Sequence, residues 1–254
     1  MLWHKAWLET RWRFLIGLAL LVCSACFVVL SYPFVQRLLS QLPNLDVAGE
    51  VGRQLRQRAD LLATYRGYVW SQWFGQNMAQ AWTLCAVIIG TGGLLHQASR
   101  GALYTLSMPV SRHRLLGVRA SLSLAELFAL AFIPSLAIPV LSPLVGQSYG
   151  IADALVHAGC LFVGGSVFFS LAFLLSTVFS DVWRPALITL FAAGALSMAE
   201  QVFHGSLSSG LFFVMNGEGY FRGAGVPWLG LASRAVMSAA LIYGAMVNIA
   251  RQDF

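Results

Sequence analysis

The chain has 254 residues, 58% of them hydrophobic and only 10% charged, against roughly 25% charged in a typical soluble domain. So few charges cannot coat a soluble surface, and lipid must be the solvent for most of the molecule. The net charge of +6 comes from fifteen arginines and one lysine against ten acids. The arginines sit mostly in short segments between apolar runs, where positive charge orients helices toward the cytoplasm. They do not make the continuous basic face that nucleic-acid binding needs.

The first thirteen residues read as an amphipathic helix lying in the headgroup plane. Trp3, Trp7, Thr10 and Phe14 share one face at helical spacing, and Lys5, Glu9 and Arg13 share another. The plainer alternative is a solvated extension of the first span. No small-residue cleavage site followed by a polar mature domain is evident, which argues against a cleaved signal peptide.

A membrane span needs about 20 mainly apolar residues. Six stretches meet or approach this: residues 14–32, 77–95, 116–141, 154–179, 186–203 and 228–249. The third holds Pro134 and Pro139 and is expected to kink. An even count puts both termini on one side. With that side cytoplasmic, the inner segments hold nine Lys and Arg residues against six outside, which favours N-terminus in.

The first outer loop, residues 33–76, is too long for a mere connection. Its middle, 47–65, suits a surface helix. The cluster Tyr65, Tyr68, Trp70, Trp73 and Phe74 that follows suits an aromatic belt at the interface, with substrate contact as the alternative. Cys23 and Cys26 have the spacing of redox and zinc sites, but no second ligand pair accompanies them. Inside an apolar helix, two small residues three apart more simply permit close packing.

Between spans two and three, residues 101–119 say more than "membrane protein". A glycine opens the segment, and Pro109 ends one short element and suits the start of the next. Ser111 can cap that next helix, and Arg112, Arg114 and Arg119 hold it at the cytoplasmic face. The result is a short surface element turned toward the cytosol.

The core from Thr105 to Arg112, Thr-Leu-Ser-Met-Pro-Val-Ser-Arg, resembles the cytoplasmic coupling segment of ABC-2 type transporter permeases. The likeness extends over nearly the whole chain. It covers the amphipathic "elbow" at 1–13, six spans, the run from Leu174 to Trp183 at the inner end of span four, and a glycine-rich outer segment at 204–227. One departure is the run from Leu95 to Arg100, which lacks the acid that the family commonly carries before the opening glycine.

The resemblance implies an all-α integral membrane domain over residues 1–254, with an N-terminal elbow helix, six transmembrane helices and a re-entrant outer segment between helices five and six. It implies the permease half of an ATP-driven exporter in the bacterial inner membrane, with both termini cytoplasmic. There is no G-x-x-x-x-G-K-[ST] phosphate loop, so this chain itself would hold no cofactor and would not be an enzyme. ATP and Mg would be held by two copies of a cytosolic ABC ATPase subunit. A second permease subunit, identical (a homodimer) or paralogous, would face this one across the path. Coupling would run through Leu106, Pro109, Val110, Ser111, Arg112 and Arg114, and through Asp181 and Arg184.

Three charges fall inside apolar runs: Glu126, Glu200 and Arg234. Each costs about 2.5–3.5 kcal/mol at a helix centre on insertion scales, so each needs a partner or a wet cavity. Glu200 and Arg234 should lie at similar depth and approach each other, as a structural pair or as part of a substrate site. Glu126 has no evident partner; it is either protonated or faces the translocation path. The outer segment 204–227 holds six glycines and the apolar run 211–215, and such a piece enters the membrane only where protein surrounds it. His204 stands alone and reads as an interface residue.

Two rival functions remain. An intramembrane enzyme finds little support: there is no HExxH, no nucleophile elbow around Ser206 to Ser209, and the five histidines are scattered. A non-transporting membrane subunit, passing ATP-driven motion to a periplasmic partner, would share the same fold and coupling segment.

Overall fold

The structure, a computed structural model, describes residues 2–41, 59–91, 112–179, 181–202 and 210–251. Among these, every regular element is helical. Five helices are long and apolar enough to cross a membrane, so the chain is a multi-pass helical membrane protein.

α1 (Leu2–Gln41) is one helix of 40 residues that runs through Pro33. The separate elbow expected at 1–13 is not formed, because nothing in the first sixteen residues breaks a helix: neither Gly nor Pro occurs there. The expected membrane-facing side also turns inward. Thr10 and Phe14 are buried and Trp7 packs on the core. That stripe continues through Leu21, Ala25, Val28 and Tyr32, a repeat of three or four residues that lays one face against the bundle. The other face is apolar and exposed, as at Ile16, Leu20 and Phe27, which suits lipid.

The second pass begins well before the expected 77–95. α2 (Tyr65–Val69) continues through a π-helical stretch, Trp70–Asn77, into α3 (Met78–Gly90). The rod runs antiparallel to α1: the Tyr68 hydroxyl donates to the Val28 carbonyl at 3.0 Å, and Arg13 Nη1 donates to the Ile88 carbonyl at 3.2 Å. The expected aromatic belt is corrected here. Trp73 and Phe74 are buried and Trp70 is half-buried, and Tyr65 and Tyr68 are buried as well, so the cluster faces protein over both its α-helical and its π-helical part.

α4 (Arg112–Leu141) is continuous through Pro134 and Pro139, and a 3₁₀ turn, Ser142–Val145, ends it. Gly146 then takes the left-handed conformation that closes the turn. α5 (Ile151–Val178) returns through the centre and is the most buried of the long helices. α3 and α5 approach closely at glycines. A β-carbon on Gly90 would lie 2.9 Å from the Phe169 carbonyl, and one on Gly165 would lie 2.1 Å from the Trp82 ring. Small residues at such crossings let backbones meet where lipid supplies no hydrophobic drive.

α6 (Trp183–Val202) buries only Pro185, Thr189 and Ala193, a single thin stripe. Two short helices follow, α7 (Leu211–Met215) and α8 (Glu218–Phe221), before α9 (Trp228–Arg251). α9 lies along α5 in the same direction through a polar seam. Ser170 and Ser238 share a hydrogen bond, and Asn248 Nδ2 donates to the Thr177 hydroxyl at 3.0 Å. Of the long outer loop expected at 33–76, its first residues extend α1, its last belong to the second rod, and most of the surface helix expected at 47–65 falls outside the described residues.

Candidate functional site

The chemistry-bearing residues gather in three places: the end of the bundle where α4 begins, the middle of the α1–α4 contact, and the opposite end under α7 and α8.

At the first end, Leu106, Pro109, Val110 and Ser111 lie outside the described residues. Arg112 opens α4, and Arg114 is exposed two residues on. α4 and α5 form a helical hairpin through the short turn at 142–150, so the end of α5 returns to the same end of the molecule. There Asp181 pairs with Arg184 at 3.0 Å, and its Oδ1 accepts the Arg184 backbone N–H at 3.1 Å, steadying the start of α6. Cations in the first turn of α4 oppose the helix macrodipole, which favours anions at that position by about 0.3–1 kcal/mol each. No acid occupies that turn.

Glu126 is buried in the contact between α1 and α4, where it shares a hydrogen bond with the Thr10 hydroxyl. Thr10 also donates to the Ala6 carbonyl at 3.2 Å. The second carboxyl oxygen has no hydrogen-bond partner, and the buried Arg119 guanidinium lies within electrostatic reach. The sequence offered no partner for Glu126 because Thr10 is 116 positions away, on another helix.

At the opposite end, Glu200 and Arg234 each engage groups close to them. Ion pairs join Arg66 to Asp153, Asp181 to Arg184 and Glu218 to Arg222. The Glu200 carboxylate reaches the start of α7, where Phe212 N–H donates to it at 3.0 Å and Phe213 N–H at 3.2 Å. A carboxylate is a natural acceptor for the orphan N–H groups that open a helix. Arg234 Nη1 donates to the Ser233 hydroxyl at 2.7 Å.

The hairpin made by α7 and α8 is pinned from the other side by the π stretch and by α5. Trp70 Nε1 donates to the Asn216 carbonyl at 3.2 Å, and Asn216 Nδ2 donates to the Gly75 carbonyl at 3.3 Å. The Trp70 and Phe221 rings stack at 4.3 Å. The Tyr220 hydroxyl donates to Asp153 at 2.7 Å, and Arg66 reaches the same carboxylate at 3.4 Å. That hydrogen bond, foremost, pushes the Tyr220 phenol up from its ordinary value, and burial pushes up the Tyr149 phenol in the α4–α5 turn. Both hydroxyls therefore stay protonated at neutral pH.

Beneath this hairpin lies His157, one of the scattered histidines in the sequence. It is fully buried, between Phe74 and Tyr220. Sequence reasoning missed it and Asn216. The one available signal was an ionisable pair, Asp153 and His157, one turn apart near the start of an apolar run. Among the described residues no group of three metal-ligating side chains occurs, and Cys23 and Cys26 are free thiols on α1, Cys23 exposed and Cys26 half-buried.

Comparison with protein-family models, with curated proteins and with solved structures finds no match to this chain in any of the three.

Proposed function

We propose that this chain is the permease subunit of an ABC-2 type exporter in the bacterial inner membrane, driven by a separate cytosolic ATPase. The observation that carries the reading is the arginine-bearing start of α4. It directly follows the Thr105–Arg112 motif and shares its end of the bundle with the Asp181–Arg184 turn. Positive charge suits a cytoplasmic end in any case; together with the motif before it, it makes this end a docking place for a cytosolic partner.

On this reading the rod from α2 through α3 is the sixth span. Its π stretch kept it from being one continuous α-helix. Both termini are cytoplasmic, and two permease chains stand with two ATPase subunits, which hold ATP and Mg. The hairpin of α7 and α8 is the re-entrant outer segment, closing the far end of the path. Its short helices are surrounded by α5, α6 and the π stretch, as a non-spanning backbone at membrane depth must be.

The test uses the assembled complex in proteoliposomes. ATP hydrolysis that responds to a candidate solute, with ATP-dependent accumulation of that solute, is the expected result. Tight association with a periplasmic protein and no response to any solute would replace transport with force transmission to a partner.

A further inference from the structure

The contacts that hold α7 and α8 to the bundle converge on one buried titratable side chain. His157 is only 1% exposed. Phe74 stacks on its ring at 4.6 Å, and Tyr220 meets it edge-on at 5.5 Å. Gly217, at the turn between the two short helices, has φ of 63°, and a β-carbon there would lie 2.6 Å from His157 Nδ1. The ring thus lies directly against the hairpin's turn. Neither of its nitrogens has a hydrogen-bond partner; the Asn216 backbone stands beside it without meeting hydrogen-bond geometry.

Among the described residues, the ionisable groups around it are engaged or neutral; Glu200 of α6 accepts the N–H groups that open α7. On α5, Asp153 is already shared by Arg66 of α2 and Tyr220 of α8, and Cys160 is a buried free thiol. Glu218 and Arg222, at α8, pair with each other. Tyr149, in the α4–α5 turn, is neutral, as is Tyr220. The stretch Trp70–Asn77 and α7 bring no ionisable side chain. A neutral imidazole fits this place. An imidazolium has two N–H donors, and only the Asn216 backbone stands beside them while Asp153 is already shared; a buried charge so poorly compensated is among the costliest arrangements in a protein.

We propose that His157 is a pH-operated latch: its protonation releases α7 and α8 from the bundle. That this release would open the outer side of a transport path rests on the function proposed above; the release itself does not. The docked form holds the ring neutral. The released form hydrates it and takes up a proton near the ordinary histidine value of about 6.5. Docking is therefore favoured above that pH and is lost as pH falls below it. At pH of about 5.5, uptake of one proton shifts the balance toward release by roughly tenfold.

Amide hydrogen exchange of the full chain in detergent tests this, because both faces then meet the same buffer and sidedness plays no part. After correction for the intrinsic effect of pH on exchange, the amides of Phe212 to Tyr220 should exchange about tenfold faster at pH ~5.5 than at pH ~7.5. His157→Phe keeps the stacking ring, and His157→Gln keeps a neutral polar group. Whichever of the two is protected at the higher pH should remain protected at the lower one. Asp153→Asn should still respond to pH. No acceleration in the wild type would overturn the proposal. So would an unchanged response in the His157 variants, or a response lost only in Asp153→Asn, since a carboxylate would then be the sensor.

Discussion

Gly165→Val should yield no folded protein, and Gly165→Ala should be measurably less stable than the wild type. A β-carbon at residue 165 would stand 2.1 Å from Cζ3 of Trp82 and 2.7 Å from Cε3. The indole cannot move aside: it is fully buried, and its Nε1 donates to the Leu127 carbonyl at 3.2 Å. The next residue, Gly164, is equally committed, since a β-carbon there would lie 2.9 Å from Met215 Cα in α7. α5 therefore meets α3 on one glycine and the hairpin on the other. Overpacking of a well-filled core costs about 1–3 kcal/mol, occasionally more, and the alanine variant should fall in that range by thermal unfolding in detergent. Trp82→Phe removes the ring that carries Cζ3. Combined with Gly165→Ala it should recover part of the loss, a coupling that a double-mutant cycle reads directly. If Gly165→Ala unfolds like the wild type, the close α3–α5 crossing is not present in the folded protein.

The second large effect falls on Glu200. Its carboxylate accepts N–H groups from both Phe212 and Phe213 at the start of α7. Hydrogen bonds to a charged group contribute about 1.5–3 kcal/mol each. Glu200→Ala leaves those donors without their acceptor, and α7, with five residues, is too short to stand without tertiary support. Amide exchange in Leu211 to Asn216 should accelerate by about ten- to hundredfold, the equivalent of roughly 1.4–2.8 kcal/mol. Glu200→Gln keeps an acceptor oxygen and should lie between the two. The long helices should be much less affected, because Glu200 lies near the end of α6, on the face of its docking stripe but beyond the three residues that are buried there. Equal acceleration in Arg234→Ala and Glu200→Ala would point back to an ion pair instead.

The sequence carried the spans well and the inner faces poorly, for a physical reason. Hydropathy reports whether a segment tolerates lipid, and four of the five long apolar helices begin within about five residues of where periodicity and run length put them. It does not report which apolar side chains face protein. Trp73 and Phe74 have the composition of an interfacial belt, yet they are core, as are Tyr65 and Tyr68 in the α-helical turn before them; packing against the other helices, which composition does not report, makes the difference. Trp7, Thr10 and Phe14 were legible as one face of a helix, but the partner for that face, α4, was not. The same limit explains the intramembrane charges. Residues 126 and 200 stood out because carboxylates are rare in apolar runs, whereas their partners are a threonine hydroxyl and two backbone N–H groups. Neither kind of partner leaves a mark in composition. His157 was hidden for a third reason: a single histidine in an apolar run gains meaning only from what packs on both sides of it.

The force-receiving role given to the end where α4 begins is the centre of the account, and what binds there tests it most directly. The chain should be purified under an affinity tag from its own membranes, as the wild type and with Arg112→Glu and Arg114→Glu combined, and the co-purifying proteins identified and quantified. The account predicts a cytosolic ABC ATPase in equal number with the wild-type chain. It also predicts that ATPase is lost from a double variant whose helical bundle still unfolds at the wild-type temperature. Wild-type chain that brings no ATPase, or a folded double variant that brings it undiminished, would contradict it.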